Sequence, residues 1–343
     1  MEIGAGYRGV IYFCNGFGEY YRIDLNCLPE RLSSIANFTA EKSVGWTVID
    51  ECIYCIGGMK GEYSPFTVGM NLNKFTPTTN SNSTWELILP HRNLRWYNPF
   101  VFAFGRKIYV ISGNKLIPDC KCESPDWTYL GEYYNLDSQT WTYLPKLTQH
   151  SSNIDESLSA FGIHAVMDKT TIVFYIVFTG LLLLYDLHEE KWIHEEELHH
   201  PNMKLAGSDL FEQCAGGETL SYIANNIKAV VCDSTLYWLN NDLCLYGYDY
   251  VQMRWFQSNS LEGELTWQLF LDPKYLVYIP LLFYLDNETF VAICRVTNEE
   301  LGMAIIGVKR EPLSLNVSLK FSRNFPVDTS AGDGVDPYSG MAM

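Results

Sequence analysis

The polar and hydrophobic positions of this chain alternate in short runs, and such runs predict β-strands joined by tight turns. The clearest copy occupies residues 130–145 and reads LGEYYNLDSQTWTYLP, in which a polar DSQT turn separates two aromatic strands. Tyr134 ends the first strand of this pair, and Trp141 follows seven residues later in the second. Because a recurring spacing predicts a repeat architecture, two further pairs are informative: Tyr185 with Trp192, and Tyr248 with Trp255.

Each repeat contains two more strands before this pair. One is an apolar strand such as DECIYCIGG from Asp50 or GRKIYVISG from Gly105, and a further apolar strand precedes it. Four strands in each of six units of about fifty residues predict an all-β, six-bladed β-propeller with four-stranded antiparallel blades. The predicted third strands align at Ile23-Asp24-Leu25, Met70-Asn71-Leu72, Tyr134-Asn135-Leu136, Tyr185-Asp186-Leu187, Tyr248-Asp249-Tyr250 and Ile306-Gly307-Val308.

The six predicted blades form one domain over residues 1–325, because each blade of a propeller packs against two neighbours. The segment 314–325 alternates in hydrophobicity and is a candidate to complete the first or the last blade. Residues 326–343 are rich in glycine and aspartate, which predicts a flexible C-terminal tail. The blades are predicted at approximately 1–40, 41–95, 96–150, 160–200, 222–260 and 275–325.

Composition narrows the possible partners. The chain of 343 residues is 47% hydrophobic, which is enough for a sizeable core. Its formal charge of -16 would repel phosphate backbones, so nucleic acid is not expected as a partner. The most apolar run, residues 171–187, is shorter than a membrane-spanning helix requires. We therefore expect no association with membranes, and we also expect a monomer.

Cysteine usage and the N-terminus bear on the compartment. Ten cysteines are scattered along the chain, and several, such as Cys52, Cys55 and Cys232, lie in apolar strand patterns where cysteine packs as a small hydrophobic residue. This placement predicts thiols rather than disulfides. The N-terminal MEIGAGYRGV lacks the features of a secretory signal peptide. Both observations favour a cytoplasmic or nuclear protein.

The residues at the strand ends resemble those of a kelch-repeat propeller. The resemblance rests on Gly57-Gly58 at the end of a second strand, on the Tyr-Asn/Asp-Leu ends of third strands, and on Trp141, Trp192 and Trp255. It covers residues 8–325 and is closest to the divergent kelch and galactose-oxidase-central-domain-like proteins of plants. The first and sixth units lack the tryptophan. The aromatic residues are expected to fill the space between blades rather than to act in catalysis.

Catalytic and metal-binding patterns are sparse. The stretch HEEKWIHEEELHH places His194 and His199 five residues apart, whereas a His-Glu-x-x-His zinc motif needs four, so a charged loop is favoured. The segment 119–123 offers two cysteines and lacks the remaining ligands of a metal site. Neither the copper site of galactose oxidase nor the iron cluster of plant specifier proteins is present. We therefore predict no metal and no cofactor, and whether the chain is an enzyme stays open.

Loops between the second and third strands and between successive blades carry the predicted binding residues. In kelch propellers these loops project on one side, and tryptophan and arginine are enriched in binding hot spots. We expect a non-catalytic scaffold that binds an unidentified protein partner through this loop face. The alternative is an enzyme or binding protein of plant specialised metabolism, with a small plant metabolite at the mouth of the central channel. The predicted binding residues are Arg92, Arg95, Trp96, Tyr97, Tyr63, Phe66, Trp127 and Tyr129.

Overall fold

The protein is an all-β, six-bladed β-propeller with four-stranded antiparallel blades, which confirms the predicted fold class. No helix is present in the part of the chain that the structure describes. The computed structural model describes residues 9–15, 19–37, 42–59, 72–76, 85–89, 100–111, 131–146, 162–167, 170–176, 181–197, 230–239, 243–249, 251–252, 254–262, 265, 280–286, 288–297, 299–312, 314–328 and 337–342.

The strands follow the blades in chain order. Blades 1 to 3 contain β1 (Val10–Asn15), β2 (Glu19–Asp24), β3 (Ala36–Asn37), β4 (Lys42–Ile49), β5 (Cys52–Met59), β6 (Leu72–Phe75), β7 (Trp85–Leu89), β8 (Phe100–Phe104), β9 (Lys107–Ile111), β10 (Gly131–Asn135) and β11 (Thr140–Tyr143). Blades 4 to 6 contain β12 (Gly162–Met167), β13 (Thr171–Ile176), β14 (Leu181–Asp186), β15 (Lys191–Glu197), β16 (Val230–Cys232), β17 (Thr235–Leu239), β18 (Leu245–Asp249), β19 (Arg254–Gln257), β20 (Leu281–Asp286), β21 (Thr289–Thr297), β22 (Glu300–Arg310) and β23 (Leu315–Pro326). The last strand, β24 (Pro337–Ala342), returns to blade 1.

The chain divides into two compact units by its internal contacts. Unit 1 comprises Met1–Ile35, Ile163–Asp168 and Pro201–Met343, and unit 2 comprises Ala36–Gly162 and Lys169–His200. Blades 1, 5 and 6 lie mainly in unit 1, and blades 2, 3 and 4 lie mainly in unit 2.

The recurring Tyr and Trp face each other across the third and fourth strands of a blade. Tyr134 lies opposite Trp141 in register, and their rings are 5.2 Å apart. Tyr185 and Trp192 repeat this pairing, with ring centroids 4.9 Å apart. Because the intervening turn has the same length in these blades, the seven-residue spacing keeps both side chains on one face of the sheet.

A carboxylate or amide at the end of the third strand fixes the turn that follows. Asp249 Oδ1 accepts hydrogen bonds from the backbone N–H groups of Val251 and Gln252, at 3.0 and 2.8 Å. Asn135 and Asp186 accept the equivalent pairs in blades 3 and 4. Such side-chain to backbone bonds stabilise turns, which explains the Asp or Asn in the repeat.

Blade 2 departs from the predicted alignment. Its third strand begins at Leu72, so the predicted alignment of Leu72 with Leu136 is wrong. Met70 and Asn71 lie outside the described residues. Phe75 takes the place of the repeated tyrosine: it lies opposite Trp85, with ring centroids 5.2 Å apart. The prediction was wrong because a longer connection separates the two strands, and the seven-residue spacing is lost.

The cores lie between the faces of neighbouring sheets. In unit 2, one cluster joins Tyr54 and Leu72 of blade 2 to Tyr134 of blade 3, and a second joins Tyr109 of blade 3 to Tyr185 of blade 4. In unit 1, similar clusters join blade 5 to blade 6 and blade 6 to blade 1. The indole N–H of Trp192 also donates to the carbonyl oxygen of Pro145 at 2.8 Å, and that of Trp85 donates to Asn37. The tryptophans therefore serve packing, as expected.

Two C-terminal strands complete blades of unit 1. The predicted segment 314–325 supplies β23, the fourth strand of the last blade. Residues 337–342 form β24, which pairs with β1 from Ile11 to Asn15, so the expectation of a flexible tail is wrong for this part of 326–343. β1 offers this segment an unpaired backbone edge, and pairing with it outweighs the disorder that glycine and aspartate content favours. Asp328 also binds Arg31 and Ser33, each at 2.8 Å.

Replacing Gln139 with glycine is expected to stabilise the protein by about 1 kcal/mol. Gln139 is exposed and has a φ of 56° in the turn between β10 and β11, a conformation that strains a residue with a Cβ atom. Chemical denaturation of Q139G and wild type measures the difference. Q139A keeps the Cβ atom and should not be more stable than wild type. An equal increase in stability in both variants would show that the positive φ does not strain Gln139.

Candidate functional site

All eight predicted binding residues lie outside the described residues. They belong to three segments, residues 60–71, 90–99 and 112–130, which join strands of blades 2 and 3. The described strands nevertheless fix where each segment is attached to the sheets. That these residues form a binding site therefore stays a prediction, which rests on how their segments connect the strands.

Strand order brings the attachment points of the three segments to one end of blades 2 and 3. Segment 60–71 leaves β5 and enters β6, and segment 112–130 leaves β9 and enters β10, so both connect a second strand to a third. The fourth strand β7 is antiparallel to β6 and therefore finishes at the end where β6 begins. Segment 90–99 leaves from there to β8. We call this end, defined by the last residues of β5, β7 and β9, the loop end.

The predicted metal candidates gain no support from the described residues. His188 is exposed and makes an edge contact with Phe104 at 5.1 Å. His194 lies in β15, while His199, His200 and the cysteines of segment 119–123 lie outside the described residues. Cys52 and Cys55 are both buried in β5, and the seven described cysteines form no disulfide with one another. Within the described residues, no cluster of three metal-ligating side chains exists.

A polar cluster of unit 2 lies between blades 3 and 4, and we call it the polar seam: Lys107, Tyr109, Tyr133, Tyr185 and Glu190. The Lys107 ammonium forms an ion pair with Glu190 and lies 4.5 Å from the centre of the Tyr133 ring. The Tyr133 hydroxyl donates to the other carboxylate oxygen of Glu190 at 3.2 Å. The seam therefore combines a partly buried ion pair with three phenols.

Local geometry holds these side chains in place. Glu190 adopts a φ of 52° in the turn between β14 and β15, directly before Lys191. Lys107 is the first residue of β9, and Tyr133 lies opposite Tyr109 with ring centroids 5.3 Å apart. The seam thus lies at the turns between first and second strands and between third and fourth strands, at the opposite end of these blades from the loop end.

The charges of the seam shift the acidity of its members. Partial burial acts to lower the pKa of Lys107, but the hydrogen bond to Glu190 and the neighbouring Tyr133 outweigh it and raise the pKa above its usual value. Burial raises the pKa of Tyr109 and Tyr185 well above the usual range, and the negative charge of Glu190 raises both further. Lys107 is therefore a cation, and the two tyrosines are neutral hydrogen-bond donors.

Sequence reasoning missed the polar seam because its members are distant in the chain. Lys107 and Glu190 are separated by 83 residues, and Glu190 lies in a turn that reads as solvent-exposed. Glu190 belongs to the acidic stretch that the sequence presents as a charged loop. The one available signal was a lysine at the start of an apolar strand in GRKIYVISG, where a charge near the core needs a partner.

A second buried polar cluster lies at the hairpin of blade 1 in unit 1. Glu19 is 3% exposed, and its carboxylate accepts hydrogen bonds from the Asn15 side-chain amide at 2.7 Å and the Tyr21 hydroxyl at 2.8 Å. Asn15 Oδ1 in turn accepts from the backbone N–H of Glu19 at 2.8 Å. These bonds close the hairpin between β1 and β2, so their geometry is explained by a structural role.

Comparison with known proteins identifies the fold and no family. No family model matches the chain, and no curated protein sequence matches it. A chain of the crystal structure of a nidogen/laminin complex is similar, with a TM-score of 0.53 and 9% identity over 97% of both chains. A chain of the structure of YjhT is similar with a TM-score of 0.57 and 11% identity, over 92% of this chain and 99% of that one. At these identities the likeness shows the fold alone.

None of the described residues belongs to a helix long and apolar enough to cross a bilayer.

Proposed function

We propose that this protein is a non-catalytic scaffold that binds a protein partner through the loop end of blades 2 and 3. The observation that supports the proposal is topological. The three segments that carry the eight predicted binding residues are all attached at this one end. Loops placed on a rigid scaffold are frequent binding sites, and the paired strands of both blades supply such a scaffold.

The residue types of these segments fit a protein-binding surface. Arg95 and Trp96 belong to the two types most enriched in binding hot spots. Arg92 and Arg95 add positive charge to a chain of net charge -16, so a partner with a carboxylate or an acidic peptide segment fits this pair. The similarity to a propeller of a nidogen/laminin complex is consistent with protein binding by this fold, without identifying a partner.

The repeat type and the cellular compartment of the protein are also proposed. We infer that the blades are degenerate kelch repeats of the plant galactose-oxidase-like type, on the basis of the Tyr and Trp pairs and the Gly57-Gly58 end of β5. Location in the cytoplasm or nucleus is supported by cysteines that pack in apolar strands, such as Cys52 and Cys294, which are 9% and 1% exposed.

The double substitution R95A/W96A tests the proposed surface. Wild type and variant are immobilised and exposed to an extract of the source tissue, and retained proteins are quantified by mass spectrometry. We expect a partner whose retention falls at least about tenfold in the variant, because hot-spot substitutions each cost more than about 1 kcal/mol of binding energy. The matched control is R106A/H188A, which removes one exposed arginine and one exposed ring from the opposite end.

Two outcomes contradict the proposal. One is equal retention of every protein by wild type and R95A/W96A. The other is a stoichiometric small molecule or metal on the purified chain in native mass spectrometry, which would favour the alternative of a metabolite-binding protein or enzyme.

A further inference from the structure

We propose that the polar seam binds an ordered water molecule, which accepts hydrogen bonds from the phenols of Tyr109 and Tyr185 and donates one to the Glu190 carboxylate. This internal site joins blade 3 to blade 4. It does not depend on the proposed function, because it lies at the other end of these blades from the loop end.

The first observation is that two hydroxyl groups are buried without a protein partner. Tyr109 and Tyr185 are both 0% exposed. Neither phenol oxygen has a hydrogen-bond partner among the described residues. A buried hydroxyl without a partner costs about 1–3 kcal/mol, and native proteins satisfy most such groups with protein atoms or internal water.

The second observation is that both phenols share one buried cluster with Tyr133, whose hydroxyl donates to Glu190. Tyr185 is in β14, whose hairpin turn carries Glu190. Tyr109 packs against Tyr133, and the Tyr133 hydroxyl donates to Glu190. The charge of Glu190 raises the pKa of both buried phenols, so both lie within its electrostatic reach. Tyr109, Tyr133 and Tyr185 belong to one buried cluster of unit 2.

Donors and acceptors balance in this arrangement. Lys107 and Tyr133 each donate to a different oxygen of Glu190, and each carboxylate oxygen keeps capacity for a further hydrogen bond. Tyr109 and Tyr185 are neutral and supply two O–H donors. A water molecule accepts two hydrogen bonds and donates two, so it can accept both phenols and donate to Glu190. An anion is disfavoured here because it would lie beside the carboxylate.

Tyr134 provides a matched control in the same unit. It is 0% exposed, and its hydroxyl also has no hydrogen-bond partner among the described residues. Burial alone raises its pKa, with no contribution from a nearby carboxylate. The phenol of Tyr134 thus shares the burial of Tyr109 and Tyr185, but no carboxylate among the described residues contributes to its pKa.

Tyr-to-Phe substitutions test the proposal through the sign of the stability change. Y109F and Y185F should each lower the ratio of folded to unfolded protein by about five- to tenfold, because each breaks a hydrogen bond to the water. In the double variant this ratio should fall by less than the product of the two single-variant factors, since both phenols bind one water molecule. Y134F should leave the ratio unchanged or increase it.

A crystal structure at about 1.5 Å gives an independent measurement. We expect a water peak within hydrogen-bond distance of both phenol oxygens and Glu190 in wild type, and its loss in Y109F/Y185F. The proposal is overturned if Y109F and Y185F are as stable as wild type or more so. It is also overturned if the phenols donate to a protein atom.

Discussion

Arg310→Met is expected to destabilise the protein by about 3 kcal/mol at neutral pH. Asp249 is 0% exposed, and its Oδ2 lies 2.6 Å from Arg310 Nη2. Arg310 comes from blade 6 and Asp249 from blade 5, so this ion pair joins two blades of unit 1. Removing the cation leaves a buried carboxylate without its charge partner. The expected loss is at the low end of the usual range because the Arg310 side chain is 28% exposed.

The guanidinium has further contacts that fix its position. Arg310 Nη1 donates to the Thr235 hydroxyl at 2.9 Å, and its central carbon lies 4.7 Å from the centre of the Phe256 ring. The second carboxylate oxygen of Asp249, Oδ1, accepts hydrogen bonds from the backbone of the turn that follows β18. Methionine retains much of the apolar stem of arginine, so lost packing contributes little to the destabilisation of R310M.

The pH dependence of stability distinguishes loss of the ion pair from loss of packing in R310M. Burial acts to raise the pKa of Asp249, but the backbone hydrogen bond from Gln252 and the Arg310 guanidinium outweigh it and hold the pKa below its usual value. A carboxyl group with a lowered pKa contributes stability that is complete above about pH 4 and is lost as the pH falls through the folded-state pKa. The difference in unfolding free energy between R310M and wild type should therefore shrink below about pH 4.

The matched control for this prediction is the double variant D249N/R310M. Asparagine keeps the oxygen that caps the turn and removes the charge, so the double variant should be more stable than R310M alone. Chemical denaturation at pH 7 and pH 3.5 measures both effects. If R310M loses less than about 1 kcal/mol of unfolding free energy, or if its loss does not depend on pH, the ion pair of Asp249 and Arg310 contributes little to stability.

Ending the chain at Asp336 is expected to cost on the order of 3–5 kcal/mol and to cause aggregation. The truncation removes β24 and leaves the β1 backbone without the partner that it has from Ile11 to Asn15. β1 is almost entirely buried, with Ile11 and Phe13 both 0% exposed. Exposure of this apolar edge offers another chain a strand to pair with. Thermal unfolding and light scattering measure the two consequences.

Rescue by a peptide gives the sharper test of this strand. A synthetic peptide of residues 335–343, added to the truncated chain, should restore part of the lost thermal stability in a concentration-dependent way. A scrambled peptide of equal composition is the control. If the truncated chain melts like the full chain and stays monomeric, residues 337–342 do not complete blade 1.

The sequence predicted the blade count, and the strand ends of most blades, because those features are local. In blades 3, 4 and 5 the strands around Tyr134, Tyr185 and Tyr248 are joined by turns of one length, so a fixed spacing to tryptophan is visible in the chain. Where the turn was longer, in blade 2, the spacing changed and the equivalent residue, Phe75, was missed.

The candidate sites were less predictable from the sequence. The eight predicted loop residues were selected by residue type and by their place between strands, and the described strands fix only where their segments attach. The polar seam could not be inferred, because Glu190, the charge partner of Lys107, comes from a different blade. A charged residue in a turn reads as solvated unless its neighbour in space is known.

The sequence by itself thus determined the class of fold: the alternation of apolar residues specifies strands, and the repeated Tyr, Asp and Trp specify the outer hairpin of a blade. Tertiary structure decided which residues of different blades meet. It placed Arg310 on Asp249, Glu190 on Lys107 and β24 on β1. The physical reason is that strand formation and turn geometry depend on neighbouring residues, whereas ion pairs and strand pairing between distant segments depend on how the sheets pack together.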